Sequence, residues 1–301
     1  MRQVFSTWIA ATRPAFLTVT LIGVLVGVAC AFYNHTFRSW SLALVSLCCA
    51  LIAHAGANVL NDYYDARSGC DALNVDRIAP FTGGSRFIQN GQLTEQATGN
   101  FAYALLASVI PAGIWLIAQS DAWLLGIGLI GLFCGWAYSA PPLKLQSRGL
   151  GEIAIIVAWC AIVIGSEYVQ TQSLNQTALY AGLSYAPLVA NVLFVNQVPD
   201  HSADAAVGKN TLIVRWSPSI TLWGSLALYG TSFTLLAAGI LSGALPHWSS
   251  LALLAALPAG RALAMLHTDP LSRRHLAHAI PATIVSCLLF GLLLAIGLFI
   301  G

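Results

Sequence analysis

The chain of 301 residues is 57% hydrophobic and only 8% charged, and its formal net charge is +2. Because soluble domains carry about 25% charged residues, this composition excludes a soluble protein and indicates an integral protein of the lipid bilayer. The small net charge argues against a nucleic-acid partner. The seven cysteines form no CxxC pair, which argues against a zinc or disulfide framework.

Nine stretches of the chain have the roughly 20 predominantly apolar residues that a membrane-spanning helix needs. Each is expected to be helical, because the hydrocarbon core offers no water to open backbone groups. We therefore predict an all-α polytopic membrane protein, with a bundle of about nine transmembrane helices in one domain over residues 1–301. In chain order the predicted spans are 15–33, 40–61, 99–118, 122–139, 151–169, 177–197, 219–241, 248–266 and 280–300.

The basic residues are distributed unequally between the two ends of this bundle. If successive helices alternate in direction and the eighth span ends before Arg261, 12 of the 13 Lys and Arg residues lie at the end that holds the N-terminus, and only Arg38 lies at the other. The positive-inside rule places the cation-rich end in the cytoplasm. The long loops after the second, fourth and sixth spans also lie there, so we expect the functional site beneath cytoplasmic cap loops.

Two acidic motifs follow apolar spans. The first is Asn58-Val-Leu-Asn-Asp-Tyr-Tyr-Asp65, at the end of the second span. Helical spacing puts one group of polar residues on a common face: His54, Asn58, Asn61, Asp62 and Asp65. The second motif spaces Asn196, Asp200 and Asp204 at i, i+4 and i+8. Pro199 is expected to interrupt the helix there and to turn the carboxylates inward.

Four carboxylates brought together require cations. Two carboxylates about 4 Å apart repel by up to about 4 kcal/mol at an effective dielectric constant of about 20. Oxygen ligands suit a hard ion, so Asp62, Asp65, Asp200 and Asp204 are predicted to bind Mg²⁺. The alternative is that both motifs are ordinary helix ends that meet water.

The first loop adds a glycine turn to the first motif. Gly83 and Gly84 precede Arg86 and predict a turn whose backbone N–H groups face a phosphate, although an ordinary turn has the same pattern. Asp71 in the same loop is expected to join the acidic cluster. His54 either lines the floor of the pocket or is a satisfied histidine inside the membrane.

The second and third loops each carry a lysine. Pro141-Pro142 stiffens the second loop and would aim Lys144, unless this lysine only sets the topology. Lys209 follows Gly208, but a nucleotide P-loop is unsupported because its first glycine and the preceding strand are missing. A polyisoprenyl diphosphate matches these features together. The aspartates can bind Mg²⁺, the cations can bind the diphosphate, and the apolar bundle can hold the hydrocarbon.

Three motifs resemble the signature motifs of the UbiA superfamily of intramembrane prenyltransferases: Asn61-Asp-Tyr-Tyr-Asp65, Tyr138-Ser-Ala-Pro-Pro-Leu-Lys144 and Asp200-x-x-x-Asp204. The resemblance extends from Arg13-Pro14 through the third loop. Thr82-Gly-Gly-Ser-Arg86 is most similar to the dihydroxynaphthoate polyprenyltransferases of menaquinone synthesis. One departure is Gln197, where that branch is expected to have Asn or Glu.

The resemblance implies Mg²⁺-dependent transfer of a polyisoprenyl group from its diphosphate to an aromatic acceptor, 1,4-dihydroxy-2-naphthoate, in a bacterial inner membrane. Arg86, Lys144 and Lys209 would stabilise the charge that grows as the carbon–oxygen bond breaks. Tyr63, Tyr64 and Tyr138 would shield the isoprenyl cation with their ring faces. The remaining expected substrate contacts are His54, Asn58, Asn61, Asp71 and Asn196.

Three alternatives stay open at this point. The acceptor can be a different aromatic compound. A terpene cyclase of the same superfamily would keep the Mg²⁺ site and use no acceptor. An ion-coupled transporter would place its aspartates on broken helices near the middle of the bilayer, accessible from both sides.

Overall fold

The computed structural model describes residues 2–301, and this part of the chain is helical with no strand. Four short helices lie outside the long ones: Arg2–Ala11, Cys70–Leu73, His201–Ala206 and Leu212–Trp216. A 3-10 helix, His247–Ala255, leads directly into the eighth long helix. The nine long helices, α1 to α9, are Pro14–Tyr33, Trp40–Ser68, Glu95–Gln119, Trp123–Ala137, Gly151–Thr171, Gln176–Asn196, Thr221–Leu241, Ala256–Thr268 and Arg273–Ile300.

All nine predicted spans are helical, which confirms the predicted membrane bundle. Eight helical segments of the described chain are long and apolar enough to cross a membrane, when α8 is taken together with the 3-10 helix His247–Ala255 that precedes it. The exception is α4, whose 15 residues rise only about 22 Å, less than the hydrocarbon core of about 30 Å. α2 continues beyond its predicted end at residue 61 and stops at Gly69, which has a left-handed backbone (φ 79°). The first acidic motif therefore lies on the last turns of α2.

The bundle is densely packed around α6. Tyr185 of α6 is fully buried, and its hydroxyl donates a hydrogen bond to the carbonyl oxygen of Val19 in α1 at 2.9 Å. A Cβ on Gly291 of α9 would lie 2.7 Å from the Tyr185 ring, so the close approach of α9 to α6 requires glycine there. On the outer side, α3 and α4 expose apolar side chains such as Trp115 and Phe133, as expected of lipid-facing helices.

The loops after α2, α4 and α6 meet at one end of the bundle. Asn74 in the first loop donates a hydrogen bond to Asp200 in the third at 2.7 Å. The backbone N–H of Asn210 in the third loop donates to the carbonyl oxygen of Ser147 in the second at 3.2 Å. These contacts between loops distant in sequence form the predicted cap over one end of the helices.

Candidate active site

The two acidic motifs approach each other beneath this cap. Asp62 and Asp65 lie on the last turns of α2. α6 ends at Asn196, residues 197–200 form a turn, and Asp204 lies on the short helix His201–Ala206. Pro199 lies in this turn, which confirms the predicted interruption. The i, i+4 and i+8 spacing of Asn196, Asp200 and Asp204 would place them on one face of a continuous helix. Because the helix is interrupted at Pro199, they do not share such a face.

Two largely buried cations, Lys209 and Arg13, hold the carboxylates. Lys209 Nζ lies 3.0 Å from both carboxylate oxygens of Asp65 and 3.4 Å from Asp204 Oδ1. Burial disfavours a charged lysine, but the charges of Asp65 and Asp204 outweigh it and raise the pKa of Lys209 well above its ordinary value. Arg13, just before α1, forms an ion pair with Asp62. Lys209 thus joins α2 to the third loop, and Arg13 joins it to the N-terminal segment.

Asp71 joins the cluster, as the sequence predicted. Burial, together with the charges of Asp65 and Asp62, raises the pKa of Asp71 to about 7. Burial and the charge of Asp204 raise the pKa of Asp200 to about 6. In the described part of the chain, two basic residues form ion pairs with three of these five aspartates, so the five carboxylates and two cations together carry a formal charge of −3. The site therefore attracts further positive charge.

The glycine turn of the first loop faces the carboxylates. Gly83 and Gly84 have positive φ angles of 75° and 71°, so this segment forms a glycine turn, and its contact with a phosphate stays a prediction. The N–H of Gly83 donates to Asp200 Oδ2 at 3.1 Å, and the N–H of Ser85 donates to Asp62 Oδ1 at 3.3 Å. A Cβ on Gly84 would lie 2.7 Å from a carboxylate oxygen of Asp71. The loop thus approaches the acidic cluster as closely as its backbone allows.

Asn61 connects the first motif to the second loop. Its amide nitrogen lies within hydrogen-bond distance of Asp65 Oδ2 (3.0 Å), Ser139 Oγ (3.3 Å) and Gln146 Oε1 (3.4 Å). Ser139 and Gln146 are not among the residues predicted from the sequence, and Arg13 is predicted there only as one of the cytoplasmic cations and as the start of the resemblance. No local pattern distinguishes these residues, because their partners are 48 to 85 residues away in the chain.

One cavity of about 570 Å³ extends from the acidic cluster into the bundle. Asp65, Asp71, Asp200, Asp204 and Lys209 line its polar end. Apolar side chains of α3 and α4 line the other end. Five further predicted contacts also line the cavity: His54, Asn58, Asn61, Tyr138 and Asn196.

The histidine and asparagine at the wall of the cavity also have protein partners. The ring of His54 is hydrogen-bonded through Nδ1 to Thr20 Oγ1 at 2.8 Å, and Asn58 donates to the carbonyl oxygen of Thr12 at 3.0 Å. Both alternatives for His54 are therefore realised together, since it is a cavity residue and a satisfied intramembrane histidine.

The structure places Tyr63 and Tyr64 away from the cavity, contrary to the expectation that they shield a cation in it. Tyr63 packs against Gly99 of α3, and the hydroxyl of Tyr64 is hydrogen-bonded to that of Tyr103 at 2.8 Å. Successive residues of a helix point about 100° apart, so these two turn away from the face that Asn61 and Asp65 present. Their rings stabilise the α2–α3 contact instead.

The predicted cations Arg86 and Lys144 lie outside the cavity lining. Arg86 donates a hydrogen bond to the carbonyl oxygen of Asp71 and so holds the first loop against the cluster. Lys144 is exposed and directly precedes the 3-10 helix Leu145–Arg148. Of the three predicted diphosphate contacts, the structure thus brings Lys209 directly into the cluster and Arg86 beside it.

The donor set of the cluster fits a hard divalent cation. Its atoms are carboxylate and amide oxygens, and both Asp62 Oδ2 and Asn74 Oδ1 are buried without a hydrogen-bond partner. Among the residues described, no three His, Cys, Asp or Glu side chains are already grouped around one metal position.

The apolar cavity ends in carboxylates and largely buried cations, which is typical of a membrane-embedded protein that binds an amphiphilic ligand. The charged head of such a ligand would lie beneath the loops and its hydrocarbon between the helices. The chain belongs to the UbiA prenyltransferase family, whose family model matches residues 20–280. The matched region contains both acidic motifs and all three cap loops.

Several curated relatives share most of their length with the chain. It is 28% identical over 303 residues to the 1,4-dihydroxy-2-naphthoate octaprenyltransferase of Escherichia coli (97% of this chain, 95% of the relative). It is 25% identical over 291 residues to the protein of the same name from Bacillus subtilis (96% and 91%). It is 28% identical over 255 residues to the 2-carboxy-1,4-naphthoquinone phytyltransferase of Synechocystis (83% and 79%).

Two solved structures share the fold. A UbiA homologue from Archaeoglobus fulgidus, bound to DMAPP and Mg²⁺, matches with a TM-score of 0.68 at 16% identity, covering 97% of this chain and 99% of that one. A structure of digeranylgeranylglyceryl phosphate synthase matches with a TM-score of 0.68 at 15% identity, covering 99% and 100%. The helical bundle is therefore the UbiA fold.

Proposed function

We propose that the protein transfers a polyisoprenyl group from its diphosphate to an aromatic acceptor in an Mg²⁺-dependent reaction, with 1,4-dihydroxy-2-naphthoate of menaquinone synthesis as the acceptor. One observation carries this proposal: a single cavity runs from buried aspartates to apolar helix faces. It matches the charged head and the hydrocarbon tail of one polyisoprenyl diphosphate. The names of the relatives from Escherichia coli and Bacillus subtilis support the choice of acceptor.

The polar end of the cavity would bind the diphosphate. Asp62, Asp65, Asp200 and Asp204 would hold Mg²⁺, which when bound neutralises the diphosphate and stabilises the charge on its departing oxygen. Lys209 lies between two of these carboxylates, where a positive charge meets the developing negative charge. A direct contact of the diphosphate with Arg86 or Lys144 stays a prediction from the sequence.

The reaction replaces one bond of the allylic carbon by another. The carbon–oxygen bond breaks, and its electron pair leaves with the diphosphate. A ring carbon of the acceptor supplies the pair for the new carbon–carbon bond, and the ring of 1,4-dihydroxy-2-naphthoate becomes aromatic again by losing its carboxyl group as CO₂. The apolar side chains of the cavity exclude water from the allylic cation, and the ring of Tyr138 can shield it.

Purified protein supplied with a polyisoprenyl diphosphate, Mg²⁺ and a panel of hydroxylated aromatic acids is expected to form a prenylated naphthalene product, identified by mass spectrometry. Diphosphate release should depend on the acceptor. A hydrocarbon product formed without an acceptor would instead indicate a terpene cyclase. Absence of turnover with every acceptor would contradict the proposed function.

We further propose that residues 1–301 form one membrane domain in a bacterial inner membrane, with the cap loops in the cytoplasm. The 12-to-1 distribution of cations supports this orientation. In a cysteine-free background, Ser147→Cys in the second loop should react only with a reagent on the cytoplasmic side. Ser173→Cys, exposed in the loop between α5 and α6, should react only from the opposite side. Labelling of Ser147→Cys from outside intact cells would contradict the orientation.

A further inference from the structure

Two amide oxygens at the end of α6 lack a hydrogen-bond partner. Asn196 Oδ1 and Gln197 Oε1 are both buried and unpartnered, and both residues line the cavity. The Gln197 residue is only 7% exposed. A buried polar group left without a hydrogen-bond partner destabilises the protein. This part of the cavity therefore suits a ligand that brings hydrogen-bond donors.

Glu152 on the first turn of α5 determines which end of the Gln197 amide is free. Gln197 Nε2 donates a hydrogen bond to Glu152 Oε1 at 2.7 Å, and the Glu152 residue is 5% exposed. Because a carboxylate only accepts hydrogen bonds, it holds the NH₂ group of Gln197 on its own side. The oxygen of Gln197 is thereby left for a ligand.

The position of Gln197 relates this oxygen to the proposed reaction. The N–H of Asp200 donates to the carbonyl oxygen of Gln197 at 3.2 Å, so Gln197 lies within one turn of the acidic cluster. A ring held by Gln197 would therefore lie near the carbon that the diphosphate leaves. Other polar residues on the cavity wall, such as His54 and Asn58, already have protein partners.

We propose that Gln197 selects the aromatic acceptor by accepting a hydrogen bond from a ring hydroxyl, with Asn196 as a second acceptor and Glu152 as the residue that positions Gln197. The ligand class is a hydroxylated naphthalene or benzene. This inference rests on the proposed function and names the residues that recognise its second substrate. A site built to hydrogen-bond a hydroxyl discriminates strongly against the analogue that lacks it.

Gln197→Met keeps the length of the side chain and removes the amide. It is expected to raise the KM for 1,4-dihydroxy-2-naphthoate about tenfold, because the bound hydroxyl loses its partner, while the KM for the polyisoprenyl diphosphate stays unchanged. Two analogues of the acceptor, each with one of its two ring hydroxyls, test the hydrogen bond to Gln197 directly: 1-hydroxy-2-naphthoate and 4-hydroxy-2-naphthoate. Gln197→Met should not change the KM for the analogue that lacks the hydroxyl bound by Gln197. It should raise the KM for the analogue that keeps this hydroxyl as much as it raises the KM for 1,4-dihydroxy-2-naphthoate.

Glu152→Gln tests the positioning role, because an amide at 152 no longer fixes the orientation of Gln197. It should raise the KM for the diol about threefold and leave kcat nearly unchanged. The double variant with Gln197→Met should be no worse than Gln197→Met alone, since both act on one contact. An additive loss in the double variant would contradict this role.

Asn191→Leu is the matched control, since Asn191 lies on the same helix, is fully buried and is outside the cavity lining. It should keep the wild-type KM for the acceptor. If Gln197→Met leaves that KM unchanged, or changes it equally for all three acceptors, the assignment of Gln197 is overturned and the proposed function stands. If the wild-type protein alkylates no aromatic acceptor, both are overturned.

Discussion

Replacing any one of Asp62, Asp65, Asp200 or Asp204 with alanine is expected to lower the rate of prenyl transfer by at least about 10²-fold. Each substitution removes oxygen donors from the cluster, and those at Asp62, Asp65 and Asp204 also remove an ion-pair partner of Arg13 or Lys209. Asp65→Ala also leaves Lys209 with Asp204 as its remaining ion-pair partner in the described chain. If the four carboxylates act as one metal site, a double variant should lose little beyond a single one.

The measurement is the initial rate at saturating Mg²⁺ and polyisoprenyl diphosphate, with thermal unfolding in detergent as a check of the fold. Asp121→Ala is the control, because Asp121 lies at the opposite end of the bundle, where it accepts a hydrogen bond from Tyr168 at 2.8 Å. It should retain the wild-type rate. Near-normal rates from any two of the four cluster variants would show that the reaction takes place elsewhere.

Lys209→Met is expected to have the second large effect, on both stability and activity. Removing one partner of a buried ion pair typically costs about 3–5 kcal/mol, and here Asp65 and Asp204 would both lose Lys209. The variant should unfold at a lower temperature than the wild type. Its rate of prenyl transfer should fall by about 10²–10³-fold, because one preorganised positive charge at the diphosphate end is lost.

Two further variants separate the role of Lys209 from general charge. Lys209→Arg keeps the charge but brings a larger planar group into a buried position, so it should recover stability better than rate. Arg274→Ala removes an exposed cation at the same end of the bundle and should change neither property. If Lys209→Met and Arg274→Ala had equal and mild effects, Lys209 would only contribute to membrane topology.

The class of the protein and the elements of its site follow from the sequence alone. Apolar stretches of about 20 residues can satisfy their backbone in lipid only as helices, so composition and length predict the bundle. The interruption at Pro199 and the turn at Gly83 and Gly84 are equally local, because ring closure at proline and the missing Cβ of glycine act on their own residues. The two acidic motifs can also be recognised in the sequence, because each is a short run of neighbouring residues.

The pairing of charges was decided only by the tertiary structure. Sequence reasoning chose Arg86, Lys144 and Lys209 as the cations of the site, whereas the structure pairs the carboxylates with Arg13 and Lys209. In the structure, the side chains of Tyr63 and Tyr64 also point toward α3 and not into the cavity. The Arg13–Asp62 contact spans 49 residues and the Lys209–Asp65 contact spans 144. Local patterns determine helices and turns, but a side chain's partner depends on which distant helix end packs beside it.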